Sequence, residues 1–383
     1  MSTRKNVFAV GFIFLNMLIL GILQSVRGPI LPFIQDDYGL SYSGIGLVIT
    51  ICSVGMLLGI VVGGRVCERL GYQKGVFLGI LIMLVSLLTL GIEGSVSLLF
   101  VIFFTLYFGL GWVDIALNSL GSRLFLTKTA ILMSLTHFFF GVGLSGGSGY
   151  AGMMLVDETS WRYIFLSIAL LFAISLLLTF LTKFPVVNGA NENQGMPFAT
   201  AIRDSRIWLF LAVLGLATVF DLGIANWLVI YLRGQAMSAS ASASFLSLYF
   251  ILFAVGRLVG GVVAEKVGYL RVFSGCVVAS GLLFMLGIIT GVNLLFAVTG
   301  LFTSVFFPLF LALIVQEFEG HAPAVLNIVL PLNSIIFMTS SLILGAMMER
   351  FGVRYGFYMI GLFMLVAPMF IWLLKKKLHL VKR

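Results

Sequence analysis

Charge is what this 383-residue chain has least of. Only 10% of its residues are Asp, Glu, Lys or Arg, against 61% that are hydrophobic. A water-soluble domain needs far more polar residues to cover its surface, so a soluble fold is excluded and the solvent is lipid. Cysteine is scarce too. Cys52, Cys67 and Cys276 sit in or at the ends of apolar segments without metal-ligand spacing, which points to ordinary buried thiols. The three histidines form no His-Glu-x-x-His arrangement, no Walker phosphate loop is present, and no serine–base motif stands out. ATP is therefore not the direct energy source. No enzyme activity, cofactor or metal is expected.

Long apolar runs are what remains. A hydrocarbon core roughly 30 Å thick is crossed by about 20 apolar residues as helix. About twelve such stretches occur, at 7–34, 43–66, 75–93, 96–120, 129–154, 161–183, 206–232, 241–264, 271–290, 292–317, 323–347 and 356–374. They are long, unbroken and not alternating, which selects helices over a barrel. The first begins at Val7, lacks an Ala-x-Ala-like cleavage site, and reads as a retained span. The longest polar stretch, Pro185 to Arg206, contains Asn188, Asn191, Asn193 and Gly195 and reads as a linker. The expected organisation is an N-terminal six-helix bundle over 1–184, a cytoplasmic linker over 185–205 and a C-terminal six-helix bundle over 206–383.

A repeat ties the two bundles together. Gly59, Gly63, Gly64, Glu68, Arg69, Gly71, Tyr72 and Lys74 return as Gly256, Gly260, Gly261, Glu265, Lys266, Gly268, Tyr269 and Arg271, and Leu40-Ser41 returns as Met237-Ser238. The offset is 197 residues throughout. A repeat half as long as an apolar chain predicts two homologous bundles, an architecture in which many transporters hold solute between their halves. The glycines Gly63, Gly64, Gly260 and Gly261 are expected to let helix backbones approach closely.

Topology accounts for the net charge of +9 without nucleic acid. With the N-terminus inside, Arg162, Arg233, Arg350 and Arg354 fall in outer segments, Arg27 and Arg257 within spans, and the rest of the 23 basic residues on the inner side. This bias predicts that both termini are cytoplasmic. The basic tail, Lys375 to Arg383, is expected to meet anionic headgroups of the bilayer. Short loops suggest a multi-pass protein of a bacterial inner membrane, and one chain suffices for a pathway.

At this point the chain resembles the major facilitator superfamily. The resemblance covers nearly its whole length: six plus six helices, a central loop, and the signature between helices 2 and 3. That signature reads here Gly64-Arg65-Val66-Cys67-Glu68-Arg69-Leu70-Gly71-Tyr72-Gln73-Lys74, with Glu in place of Asp and Tyr72 in place of a basic residue. The second half repeats it from Gly261 to Arg271, and weaker echoes follow at Trp161-Arg162-Tyr163-Ile164-Phe165 and Val353-Arg354-Tyr355-Gly356-Phe357. The resemblance implies a cytoplasmic latch holding the outward-facing state, with Gly64, Glu68, Arg69 and Arg123 on one side and Gly261, Glu265, Lys266 and Arg271 on the other. Glu68 and Glu265 can accept bonds from helix N-termini, where the dipole is positive.

Charges inside a span are costly unless paired or hydrated, so each is a functional candidate. They are Arg27, Asp114, His137, Asp221 and Arg257. Asp114 and His137 lie at matching depths, about 10 and 12 Å from the inner surface at 1.5 Å per residue, and are expected to form a proton-binding pair. Asn118 sits one turn from Asp114 on the same face. Arg27 lies too far along its span to bridge Asp114. A contact with Asp221, which requires bent or tilted helices, would by resemblance be an outer gate. Arg257 is expected to play a structural role near the latch. In the family, helices 1, 4, 7 and 10 line the cleft, which implies solute-cleft roles for Gln24, Arg27, Asn118, Asn226 and Trp227. Gln24 is equivalent to Asp221 by the repeat offset. A carboxylate partly desolvated in such a cleft can load and release a proton near neutral pH. Asp114, Asp221 and His137 are the proton-coupling candidates.

Within the superfamily, Trp112-Val113-Asp114-Ile115-Ala116-Leu117-Asn118 and Asp221-Leu222-Gly223-Ile224-Ala225-Asn226-Trp227-Leu228 resemble the fucose–galactose–glucose:proton symporter branch. Gly141-Val142-Gly143-Leu144-Ser145-Gly146 matches a dinucleotide fingerprint, but no strand precedes it, so it reads as helix packing. The same stretch resembles the glycine-rich motif of drug–proton antiporters and lacks its Gly-Pro pair. Pro29, Pro32, Pro308 and Pro331 are expected to kink spans. The expectation is a twelve-helix, all-α secondary transporter working by alternating access, coupling protons to uptake of a small neutral organic solute such as a sugar. A proton-driven exporter of a metabolite or drug and a non-transporting membrane sensor are the alternatives.

Overall fold

Apolar runs of 20–30 residues in lipid must satisfy every backbone N–H and C=O internally, and helix does this within one segment. The computed structural model describes residues 3–92, 94–124, 129–156, 160–182, 184, 203–319 and 321–378, apart from the side chains of 3–7, 122, 123, 129–131, 134 and 323. Among these residues there is helix and no strand. The elements are α1 (Thr3–Tyr38), α2 (Tyr42–Leu70), α3 (Tyr72–Leu90), α4 (Val96–Leu124), α5 (Thr129–Met154), α6 (Trp161–Leu181), α7 (Ser205–Arg233), α8 (Ala239–Val267), α9 (Tyr269–Thr290), α10 (Leu294–Thr303), α11 (Phe306–Glu317), α12 (Ala322–Phe351) and α13 (Val353–Lys377). Eleven spans are long and apolar enough to cross a membrane, α10 and α11 together forming one of them. With α5, of 26 residues, they are the twelve spans read from the sequence.

Of the four prolines expected to kink spans, Pro308 alone adjoins a break in helix. Pro29 and Pro32 lie inside α1 and Pro331 inside α12. The break at Ser304–Val305 separates α10 from α11, and both residues keep helical dihedrals, so it is a kink and not a loop.

The chain divides into two compact units. The first holds α1–α6 together with Ser238–Ser247. The second holds α7, α8 from Leu248 onward, and α9–α13. In the first unit α1 packs on α5 and α2 on α4, with α3 against α4 and α6. In the second, α7 packs on α12 and α13, and α9 on α10 and α13. An aromatic core fills the second unit: Phe284 lies 5.0 Å from Phe220, 5.2 Å from Phe296 and 5.5 Å from Phe357 between ring centroids. The apolar excess is spent on outward faces, where Leu177, Phe180 and Ile289 are about two-thirds exposed.

The repeated phrase shapes both units alike. Gly71 and Gly268 turn the chain between α2 and α3 and between α8 and α9 with φ of 84° and 102°, a region closed to most side chains. Gly59 lies against the Phe108 backbone and Gly63 against Trp112; Gly256 lies against the Leu301 backbone and Gly260 against Val305. Close packing was expected of Gly64 and Gly261 as well. A side chain at Gly64 would touch only Ile115, and one at Gly261 nothing within 4 Å. Successive residues on a helix point about 100° apart, so only one glycine of each pair can face the packed neighbour. Gly143 of the dinucleotide-like stretch packs against Leu18 and Gly21 of α1, a helix–helix contact as expected.

At the start of α7, Arg206 donates to both Asp204 oxygens and to Glu317 Oε1 at 2.5 Å, tying it to the end of α11. The Glu317 side chain is fully buried while that of Arg206 is 20% exposed. Arg206→Ala leaves that carboxylate without its guanidinium, which is expected to cost about 3 kcal/mol. The measurement is the thermal unfolding midpoint in detergent, and Glu317→Gln added to Arg206→Ala is expected to restore much of the loss.

Candidate functional site

Each unit places an ionisable side chain inside a span, within one helical turn of the same place in its repeat. In the first, Arg27 of α1 is 6% exposed, with its guanidinium carbon 4.7 Å from the Tyr107 ring centroid and its polar contacts to the Tyr107 and Cys52 side chains. In the second, Asp221 of α7 accepts a short hydrogen bond from the Tyr249 hydroxyl, and that hydroxyl lies 2.8 Å from the Thr303 hydroxyl. The repeat offset carries Cys52 onto Tyr249 and Tyr107 onto Ser304, the neighbour of Thr303. One architecture therefore cradles a cation in the first unit and a carboxylate in the second.

The carboxylate cradle is built from three helices. α7 presents Asp221; α8 presents Tyr249, which is fully buried, and Arg257; α10 ends in Thr303. Arg257 stacks on Phe253 at 4.8 Å, donates from Nε to the Ser304 carbonyl at 3.4 Å, and interacts electrostatically with Asp221. It reaches the Ser304 backbone beside the cradle, because helical phase and not distance along the chain sets its direction. One turn from Asp221 on α7, Thr218 accepts a bond from Asn333 Nδ2 of α12 at 3.1 Å, leaving Asn333 Oδ1 buried without a partner among the described residues.

The second carboxylate, Asp114 on α4, is partly buried. Asn118 Nδ2 donates to its Oδ1 at 3.1 Å and to its backbone carbonyl at 3.0 Å, so the two share one helix face as their spacing of four predicts. Asn118 Oδ1 is buried without a partner among the described residues. The pair expected between Asp114 and His137 is not formed among the described residues. Asp114 is bonded within its own helix, and His137 on α5 has a partner of its own. Matching depth left rotation about the helix axes undetermined.

Of the expected cleft residues, Gln24 is partly buried. Asn226 is 1% exposed and donates to the Leu222 carbonyl at 2.6 Å, and Trp227 is 1% exposed. Glu68, Arg69, Glu265, Lys266 and Arg271 are exposed and in no ion pair among the described residues; the Arg123 side chain lies outside those residues. Tyr249, Thr303, Cys52 and Tyr107 were missed from the sequence. The repeat offset was the signal that could have found the first of them, since it joins Tyr249 to Cys52 as it joins Asp221 to Gln24. No group of His, Cys, Asp and Glu fit to hold a metal occurs among the described residues.

The Major Facilitator Superfamily profile matches residues 13–269 and 235–382. The chain belongs to the Major Facilitator Superfamily. Among related superfamily proteins, Protein TsgA of Shigella flexneri is 23% identical over 365 residues, spanning 92% of this chain and 91% of TsgA. Two solved facilitator folds superpose over nearly the full length. The nucleoside transporter NupG, solved as a point mutant, is 12% identical with a TM-score of 0.80 over 96% of this chain and 99% of NupG. A D-xylose-proton symporter is 13% identical with a TM-score of 0.72 over 97% and 98%. This facilitator is thus a multi-pass membrane transporter and not an enzyme.

Proposed function

We propose that this facilitator is a proton-coupled symporter that takes up a small neutral organic solute such as a sugar, by alternating access. The observation that carries the reading is Asp221: a carboxylate inside a membrane span, bonded by the neutral hydroxyl of Tyr249, with Thr303 beside it. A carboxylate in a span is expensive to keep unless it works, and one held by hydroxyls can exchange a proton without breaking an ion pair. Asp114, bonded by the Asn118 amide, is the second candidate proton carrier, and His137 the third. In the first unit the Gln24 and Asn118 amides, and in the second the Asn333 amide and the Thr218 hydroxyl near Asp221, are groups of the kind that suits a hydroxyl-rich ligand. NupG and the xylose symporter, which share the fold, are by name transporters of such solutes, and the second couples to protons. Glu68, Arg69 and Arg123 would latch one half and Glu265, Lys266 and Arg271 the other. The proposed location is a bacterial inner membrane with both termini cytoplasmic, and the proposed working unit is one chain.

The test is external pH in de-energised right-side-out vesicles as a panel of sugars and nucleosides is added. Alkalinisation with one solute is expected, and Asp114→Asn is expected to weaken it if Asp114 shares the proton. No response to any solute, together with efflux of a preloaded compound driven by an imposed proton gradient, would replace symport with export.

A further inference from the structure

The tenth span kinks at Ser304–Val305, and the sequence explains why. Pro308 has no N–H, and its ring crowds the carbonyl four residues back, which is that of Ser304. A carbonyl freed inside a membrane span has to find another donor. Arg257 Nε supplies it at 3.4 Å. One residue earlier, Thr303 reaches Tyr249, and Tyr249 reaches Asp221. The carboxylate therefore reaches the kink along an arm of hydroxyls, and it acts by charge, without an ion pair, on the guanidinium that bonds the Ser304 carbonyl. Gly256, beside Arg257, holds α8 directly against Leu301 and Ser304, so both links are short.

Few other groups act on Asp221. Tyr249 and Arg257 face it from α8 and Thr303 from α10. α12 brings the neutral Asn333–Thr218 pair one turn away, and α13 packs the apolar Ile360 against Gly223. Among the described residues no second carboxylate acts on it.

We infer that Tyr249, Thr303 and Arg257 are positioning residues that make the tenth-span kink follow the protonation of Asp221. This rests on the reading of Asp221 as a proton carrier. With Asp221 ionised, Tyr249 donates to it, the Tyr249 oxygen accepts from Thr303, and Arg257 is drawn toward the negative charge. When the carboxyl takes a proton from water, it donates to the Tyr249 oxygen. The Tyr249 proton then turns to Thr303 Oγ1, and the Thr303 proton turns to the Gly300 carbonyl, 3.4 Å away. That carbonyl already accepts the Ser304 N–H at 3.2 Å, one of the last helical bonds before the kink. At the same moment the charge attracting Arg257 disappears, and its hold on the Ser304 carbonyl changes. Both effects fall on the turn from Gly300 to Ser304.

Hydrogen–deuterium exchange of the full chain in nanodiscs, followed in peptides covering 300–309 at an acidic and an alkaline pH and corrected for intrinsic exchange, tests this. The wild type is expected to show a pH-dependent change in protection of roughly two- to tenfold, the worth of one hydrogen bond. Asp221→Asn is expected to abolish it. Tyr249→Phe, which keeps the ring, and Arg257→Gln are each expected to remove most of it, with Arg257→Lys restoring part. If Asp221→Asn abolishes the change while Tyr249→Phe and Arg257→Gln leave it intact, these links do not carry the signal; Asp221 stands as proton carrier and the inference falls. If the wild-type change persists in Asp221→Asn, both the carrier reading and the inference fall. Tyr249→Phe alone decides the matter should Arg257→Gln not fold.

Discussion

Asp221→Asn is expected to reduce solute-driven proton uptake to the background of empty vesicles while leaving solute counterflow intact. Asn has nearly the shape of Asp and can bond Tyr249 and Thr303, so the cradle in the second unit keeps its packing. What it cannot do is bind and release a proton at neutral pH. Counterflow exchanges solute for solute without net proton movement and so reports binding and alternating access alone. Uptake of solute against its gradient is expected to vanish together with the alkalinisation. Proton uptake at wild-type level in the variant would mean that Asp221 is not the coupling group, and attention would pass to Asp114 and its Asn118 partner.

Gly256→Leu is expected to prevent accumulation of folded protein, whereas Gly261→Leu, in the same signature, is expected to leave the unfolding midpoint unchanged. A Cβ at residue 256 would fall on the Leu301 carbonyl and the Ser304 hydroxyl, and backbone cannot swing aside as a flexible side chain does. Overpacking of this kind costs about 1–3 kcal/mol where side chains yield, and more where they cannot. Gly256→Ala already meets the carbonyl and is expected to lower the midpoint. Gly59→Leu, aimed at the Phe108 backbone in the first unit, is expected to behave like Gly256→Leu. The measurement is the monodisperse fraction and thermal midpoint in detergent. Normal folding of Gly256→Leu would show that α8 can shift away from the kink.

The spans were legible because lipid imposes a length and a composition, and the repeat was legible because Gly71 and Gly268 must occupy a backbone region that few other residues tolerate. Asp221 was legible as a charge out of place. Its partners were not. Tyr249 and Thr303 are unremarkable residues in an apolar helix, and only the fold brings α7, α8 and α10 to one point. Arg257 lies eight residues, about 12 Å of helix, before Glu265, which suggested the latch until helical phase turned it toward the cradle. The pairing expected of Asp114 with His137 is not formed among the described residues for the same reason, since sequence gives depth along an axis and no rotation about it.

The two cradles carry a consequence for how the chain can vary. Their partner residues fall within one position of the same register, yet one cradle holds a guanidinium and the other a carboxyl group. A tandem of two first halves would bury two cations, and a tandem of two second halves two acids. A difference within a single turn of helix thus makes the halves chemically non-interchangeable, and a chain built from two copies of either half would lack one of the two charges.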